Sequence, residues 1–210
     1  KLLRALQSVR DGDFSVRLPS DQTGIGGKIA DAMDKVAEEC SPFADVAENP
    51  TKDLAMGLAD AQALVWGGSV LAARASRRLA EALRAASGRP ALAADAEALL
   101  PILESTPTRD PFADPFEDQL SVDRRPTLVL LDDGNTESLI RSDHQRLVTA
   151  AERNDVRVCP IAHWTGSDVE RYATLLQTGM FAAVYLSVGL GRTAFERVVR
   201  RYAAPRRPIA

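Results

Sequence analysis

A short apolar run that ends in a glycine turn and leads directly into an amphipathic pattern most constrains how this chain can fold. Residues 63–66 form the apolar run, Gly67-Gly68-Ser69 the turn, and residues 70–86 an alanine-rich amphipathic stretch. This order predicts a β-strand, a tight turn and an α-helix. Free backbone N–H groups at a helix start stabilise anions, so we predict Gly67, Gly68 and Ser69 as substrate-binding residues. Ordinary helix capping uses the same residue types and is the alternative.

The rest of the chain repeats this alternation of strand and helix. Further strands are predicted at residues 90–94, 127–131 and 156–161, and helices at 51–59, 95–103, 137–154, 168–190 and 194–202. Such alternation is typical of an α/β fold, a doubly wound parallel sheet with helices on both faces. Ligands of these folds bind beyond the carboxyl ends of the strands, so residues 67–69, 132–136 and 163–167 should open on one edge.

The predicted domain organisation has three parts. Residues 1–40 form a helical leader, residues 41–60 a linker with a short helix, and residues 61–205 the α/β domain. Residues 104–125 form a long proline-containing loop within that domain. Hydrophobic residues make up 45% of the 210-residue chain, which is enough for an ordinary globular core.

Composition argues against several classes of protein. The net charge of −3 disfavours a nucleic-acid partner. The two cysteines, Cys40 and Cys159, are more typical of a reducing compartment than of a disulfide framework, so a cytoplasmic location is expected. We expect Cys159, which lies in an apolar run, to be a small buried hydrophobe. No apolar stretch is long enough to span a bilayer, so no membrane segment is expected.

Few residues carry obvious chemistry. His144 falls early in a polar helix and is expected to be exposed, whereas His163 lies at a strand end beside Trp164, a better position for acid–base work or sugar stacking. A partly buried loop histidine is the alternative for His163. Asp132 and Asp133 are interpreted as a turn that bonds to the following glycine, since no further carboxylates have metal-ligand spacing.

The leader resembles a HAMP linker, the coiled-coil relay of bacterial sensor proteins. The residues that carry this resemblance are Gly12-Asp13-Phe14, Arg17-Leu18-Pro19, the segment from Asp21 to Gly24, and Lys28-Ile29-Ala30-Asp31. The alternative is an amphipathic helical hairpin packed on the main domain. Either arrangement, together with an apolar stripe at Leu2, Leu3, Leu6 and Val9, is compatible with a homodimer.

Residues from about Ile29, and clearly from Asn49 to Arg201, resemble the C-terminal subdomain of the bifunctional phosphoglucose/phosphomannose isomerases, which have the sugar isomerase (SIS) fold. The resemblance is carried by Cys40-Ser41-Pro42, the segment from Asn49 to Ala55, Leu64-Val65-Trp66-Gly67-Gly68, Leu79-Ala80-Glu81, and the segment from Arg171 to Gly191. It implies a domain of the flavodoxin-like, doubly wound type that binds a sugar phosphate. It implies no metal and no organic cofactor.

The same resemblance assigns roles to residues that their local pattern does not single out. Glu81 aligns with the base that moves a proton between C1 and C2 of an open-chain sugar phosphate, although its sequence neighbours suggest surface pairing with Arg77 and Arg84. The ring-opening histidine of the family is absent from residues 95–99, and His163 is the candidate to replace it. Thr193 and Arg200, or Arg201, correspond to a late threonine and a basic residue.

The sequence therefore leaves different functions open. The resemblance implies aldose–ketose isomerisation through an enediol, but the N-terminal SIS subdomain of that family is replaced here by the leader. The alternatives are a non-catalytic module that senses a phosphosugar or mediates dimerisation or signalling, and a scaffold without a ligand. A homodimer is expected because SIS active sites are commonly completed across subunits.

Overall fold

The structure is a computed structural model that describes residues 24, 27, 28, 30–32, 34, 35, 49–108 and 124–192. From residue 49 onward, the described helices and strands follow one another in the order α1 Pro50–Leu58, β1 Gln62–Gly67, α2 Val70–Ser87, β2 Ala91–Ala93, α3 Ala96–Glu104, β3 Pro126–Asp132, α4 Ser138–Arg153, β4 Arg157–Ala162 and α5 Asp168–Gly189. The helix predicted at residues 194–202 and most of the loop predicted at 104–125 lie outside the described residues.

The four strands form one parallel sheet in the order β2-β1-β3-β4. The chain builds outward from β1 to β2 and then crosses back to β3, so the direction of winding reverses between β1 and β3. This order is the flavodoxin-like one, in which the reversal marks the ligand crevice. The predicted α/β class and parallel doubly wound sheet are confirmed.

The helices cover both faces of the sheet. On one face, α1, α2 and α5 contribute to a core that includes Val65 of β1 and Val129 of β3. On the other face, α3 and α4 pack against Leu64 of β1 and Leu128 of β3. Because both central strands are buried on both sides, they are continuous apolar runs without polar alternation.

Helix α1 packs into the core of the first face. Leu54 and Leu58 are buried there with residues of α2 and α5. At its start, the buried Asn49 caps the helix by accepting hydrogen bonds from the Thr51 and Lys52 backbone N–H groups at 3.1 and 3.2 Å. The Asn49-Pro50 step that opens the segment from Asn49 to Ala55 is therefore a helix cap followed by a proline at the first helical position.

Part of the leader lies beside the start of α5. Its described residues between 27 and 35 are helical, and Gly27 and Ala30 are buried. Lys28 interacts electrostatically with Glu170 in the first turn of α5. The described part of the leader therefore lies against the main domain, while the other residues that carry the HAMP resemblance lie almost entirely outside the described ones.

Candidate functional site

The loops after β1, β3 and β4 meet at the carboxyl edge of the sheet. The Ser69 hydroxyl donates a hydrogen bond to Asp133 Oδ2 of the β3 loop. The His163 backbone N–H donates to the Asp132 carbonyl oxygen at 2.9 Å, joining the β3 and β4 loops. The prediction that these three loops open on one edge is confirmed.

The turn after β1 is shaped by close packing. A Cβ atom on Gly67 would lie 2.4 Å from the Ala72 backbone, and one on Gly68 would lie 2.4 Å from Ile140 Cγ2. Ser69 is the N-cap of α2, and its Oγ accepts a hydrogen bond from the Ala72 N–H at 3.0 Å. Helix capping, the alternative weighed for this turn, is therefore confirmed for Ser69.

The turn after β3 is held by its own aspartates. Asp132 Oδ1 accepts a hydrogen bond from the Gly134 N–H at 2.8 Å, and Asp133 Oδ1 accepts one from the Asn135 N–H at 3.3 Å. Gly134 has φ of +73°, which glycine adopts without strain. The turn interpretation of these aspartates is confirmed. Within the described residues, no group of three His, Cys, Asp or Glu side chains could hold a metal ion.

A cleft of about 440 Å³ opens where the β1 and β3 loops diverge. Aromatic, acidic, basic and amide side chains contribute to its wall, which includes Trp66, Asp132, Asp133, Asn135, Arg141, His144, Gln145 and Trp164. The chain has two tryptophans and both line this cleft. Trp66 is buried at the end of β1, whereas Trp164 is 66% exposed.

His144 corrects one expectation. The sequence predicted an exposed side chain on a polar helix, but His144 is half-buried and its ring centroid lies 6.0 Å from that of Trp66. The side of α4 that carries His144 faces the end of β1, which the polar pattern of the helix does not reveal. Apolar spacing could not identify His144 as a cleft residue, because a wall open to solvent contains polar side chains.

His163 lies in the β4 loop and is half-buried, and it does not line the cleft. Its Nε2 atom is 3.4 Å from the Thr165 hydroxyl, and the neighbouring Trp164 lines the cleft instead. Thr193 and Arg200 lie outside the described residues.

Glu81 lies on an exposed part of α2 and forms an ion pair with Arg78 at 2.9 Å. The pairing predicted with Arg77 and Arg84 is therefore wrong, since the i−3 arginine is the partner. Glu81 is eleven residues beyond Val70, the first residue of α2. This spacing corresponds to about 16 Å along the helix axis, directed away from the carboxyl edge. The structure does not bring Glu81 and His163 together.

The β4 loop is anchored at the start of α5. Glu170 Oε2 accepts hydrogen bonds from the Ser167 hydroxyl and backbone N–H, at 2.5 and 2.6 Å. These bonds, supported by Lys28 and His163, lower the pKa of Glu170 below its usual value. Arg171 donates to the Asp133 carbonyl oxygen at 2.8 Å, which ties α5 to the β3 loop.

Cys159 faces the core from β4 and is buried, as expected. Its burial raises the pKa of the thiol, although the nearby Arg157 guanidinium partly offsets this effect. The thiolate is the reactive form of cysteine, so this residue is suited to packing.

Comparison with known proteins gives the family. The family described as the bacterial phospho-glucose isomerase C-terminal SIS domain matches residues 47–196, which is well over half of the 210-residue chain. The chain belongs to this family, and the resemblance noted in the sequence is confirmed. A search among curated proteins found no significant match.

A similar solved structure supports the fold. The crystal structure of a glucose-6-phosphate isomerase like protein from Thermus thermophilus aligns with 83% of this chain at 16% identity and a TM-score of 0.57. The alignment covers 54% of that protein's chain, so this chain spans about half its length. Among the described residues, no helix has the length and apolar character that crossing a membrane requires.

Proposed function

We propose that this domain binds a carbohydrate derivative, specifically a sugar phosphate, in the cleft between the β1 and β3 loops. The observation that carries the proposal is the presence of both tryptophans in the wall of this cleft, at the reversal point of a sheet of the SIS family. Ligands of doubly wound folds bind at such a reversal point.

The chemistry of the wall suits a hydroxylated ring. Indole faces provide large apolar contact surfaces, and a few fixed polar groups orient a ligand in such pockets. Asp132, Asn135 and Gln145 supply carboxylate and amide acceptors, and the two amides also donate hydrogen bonds. A sugar presents both kinds of surface, since its C–H faces are apolar and its hydroxyl groups are polar.

Aldose–ketose isomerisation is the second candidate, and family membership favours it. In this proposal Glu81 is the base and His163 assists ring opening. Glu81 lies on the outer part of α2, so the substrate would have to reach it from a surface outside this cleft. A second protein surface facing α2, such as that of another SIS unit, would then complete the catalytic site.

Two measurements separate the candidates. Binding to the native state raises thermal stability, so glucose 6-phosphate, mannose 6-phosphate and fructose 6-phosphate should increase the unfolding temperature. Turnover of fructose 6-phosphate is then compared between the wild type and Glu81→Gln. Stabilisation without turnover in either protein supports a binding domain, whereas turnover that Glu81→Gln abolishes supports the isomerase. Equal turnover in the two proteins would remove Glu81 from the mechanism. A flat melting temperature across all three sugars would contradict the binding proposal.

We also propose that the chain forms a homodimer through its leader. The apolar stripe at Leu2, Leu3, Leu6 and Val9 supports this proposal. Sedimentation of the full chain and of a variant with Leu3→Glu and Leu6→Glu tests it. Equal masses for the two proteins would contradict a leader-mediated dimer.

A further inference from the structure

The start of α2 already holds a negatively charged group. Asp133 Oδ2 accepts the Ser69 hydroxyl, while the Ser69 oxygen itself accepts the Ala72 N–H. Two donors at this turn, the Ala72 N–H and the Ser69 hydroxyl, are therefore engaged, and the Ser69 proton is directed to a carboxylate. This arrangement was not visible in the sequence, since 64 residues separate the two partners.

The charges around Ser69 also disfavour a phosphate at the start of α2. Asp132 and Asp133 both line the cleft wall, and like charges at short range repel. Arg171 cannot offset them fully, because its guanidinium already donates to the Asp133 carbonyl oxygen and pairs with Asp168. The part of the cleft wall that Asp132 and Asp133 form is therefore a poor place for a phosphate dianion.

Another part of the cleft wall carries a positive charge. Arg141 lines the cleft from α4 and its side chain is exposed. Trp164 is also exposed and lies beside Gly134 of the β3 turn, whereas Trp66 is buried. The cleft wall therefore offers a ligand two kinds of surface, the half-buried aspartates and the exposed cationic side chain of Arg141.

We infer that the cleft takes the uncharged, hydroxyl-bearing end of its ligand and that Asp133 keeps phosphate away from the start of α2. The phosphate of a bound sugar phosphate then points outward to Arg141. Asp133 is thus a specificity-determining residue that fixes the orientation of the ligand. This inference rests on the proposed function for the identity of the ligand, but the exclusion of phosphate by Asp133 can be tested without any sugar.

The experiment uses the full chain with three ligands: inorganic phosphate, the neutral hexitol glucitol, and glucitol 6-phosphate. Intrinsic fluorescence reports the cleft, because both tryptophans line it. In the wild type, glucitol and glucitol 6-phosphate should change the fluorescence, and inorganic phosphate should neither change it nor compete with glucitol. In Asp133→Asn, inorganic phosphate should bind at least tenfold more tightly than in the wild type.

Asp132→Asn is the matched control, because it removes the same charge from the adjacent residue without touching Ser69. Its phosphate affinity should rise clearly less than that of Asp133→Asn. If Asp133→Asn is unfolded at the temperature of the assay, Asp133→Ala is the second variant in which phosphate binding is measured. Arg141→Gln should weaken the binding of glucitol 6-phosphate severalfold and leave the binding of glucitol unchanged.

The inference is overturned if inorganic phosphate binds the wild type as tightly as Asp133→Asn, or if neither Asp133 variant gains phosphate binding. An equal gain in phosphate affinity in the Asp132 and Asp133 variants would also overturn the inference, since the loss of one negative charge would then explain the gain at either position. If neither glucitol nor its phosphate binds any variant, the proposed function fails. The phosphate titration still decides the role of Asp133 in that case.

Discussion

The Ser69 hydroxyl donates a hydrogen bond to the Asp133 carboxylate across the point where the winding of the sheet reverses. Ser69 also caps α2, so one side chain fixes both a helix start and the loop after the neighbouring strand. The bond therefore ties together the two loops that form the candidate site.

Replacing Ser69 with alanine should destabilise the protein more than loss of a cap alone. Removal of an N-cap acceptor costs about 0.5–2 kcal/mol, and Ser69→Ala also leaves Asp133 Oδ2 without the Ser69 donor. Asp95→Ala is the control, because Asp95 caps α3 by accepting the Ala98 N–H at 3.0 Å in an exposed position. Urea unfolding should show a larger loss for Ser69→Ala, and equal losses would mean that the bond to Asp133 adds nothing.

Gly68→Ala should destabilise the fold and disturb the cleft. The added methyl group would lie 2.4 Å from Ile140 Cγ2 and 2.7 Å from the Trp66 ring, and overpacking of this kind costs about 1–3 kcal/mol. Gly189→Ala is the matched control, since no heavy atom lies within 4 Å of its added Cβ and α5 includes this residue. Gly68→Ala should have a lower unfolding temperature than the wild type, and Gly189→Ala should have the same unfolding temperature as the wild type or a higher one. The opposite order would contradict the close packing at the β1 turn.

Asn49→Ala should unfold the start of α1. Asn49 is fully buried and its side-chain oxygen accepts the Thr51 hydroxyl at 2.6 Å besides two backbone N–H groups. We expect a loss near the upper end of the N-cap range, about 2 kcal/mol, with partial recovery in Asn49→Ser, which retains an acceptor. The loss of stability in each variant is measured by chemical denaturation, monitored by far-UV circular dichroism. A loss below about 0.5 kcal/mol in Asn49→Ala would argue against the cap.

Glu170 should make stability depend on pH in a predictable direction. Its hydrogen bonds from Ser167 lower its pKa in the folded state, so the folded protein binds this proton less readily than the unfolded chain. The contribution of Glu170 to stability is then complete above the pKa of about 4.3 that a glutamate has in the unfolded chain. It is lost as the pH falls through the lower pKa of Glu170 in the folded protein. Glu170→Gln should therefore be less stable than the wild type at pH 7, and this difference should narrow in acid.

The control for that measurement is Glu104→Gln, which changes an exposed carboxylate at the end of α3. Its stability should follow the wild-type curve closely from neutral to acidic pH. A gap between wild type and Glu170→Gln that stays constant down to pH 3 would contradict the role of the Glu170 charge.

Cys159 should react slowly with thiol reagents in the folded protein. Its side chain is buried and burial raises the pKa of the thiol, so little thiolate is present or reachable at neutral pH. The measurement uses Cys40→Ser, in which Cys159 is the single cysteine of the chain. Modification should be slow in buffer and fast in denaturing urea. Equal rates in both conditions would show that the thiol is accessible in the native state.

The fold was largely accessible from the sequence, because its physical causes are local. The run from Leu128 to Leu131 is apolar throughout and follows the β-branched Thr127, so it identifies a buried strand. Gly88 ends α2 with φ of +65°, a left-handed conformation that glycine favours at the end of a helix. Predicted boundaries differed from the observed ones by one residue at most for each described helix and strand from residue 49 onward.

The site was less accessible, because it depends on contacts between distant segments. His144 on α4 was predicted to be exposed, yet it is half-buried and its ring lies near that of Trp66, at the end of β1. The choice of Arg78 over Arg77 and Arg84 as the partner of Glu81 is a matter of side-chain geometry on one helix. The bond between Ser69 and Asp133 joins residues whose proximity only the sheet topology determines.

The most direct test of the account is ligand-induced stabilisation in Trp164→Ala, since an exposed indole in the cleft wall is expected to contact the sugar. Val188→Ala is the control, because Val188 is similarly exposed near the end of α5 and does not line the cleft. We predict that glucose 6-phosphate raises the unfolding temperature of the wild type and of Val188→Ala, and that Trp164→Ala loses most of this rise. An equal rise in all three proteins would show that the ligand binds elsewhere and would contradict the assignment of this cleft.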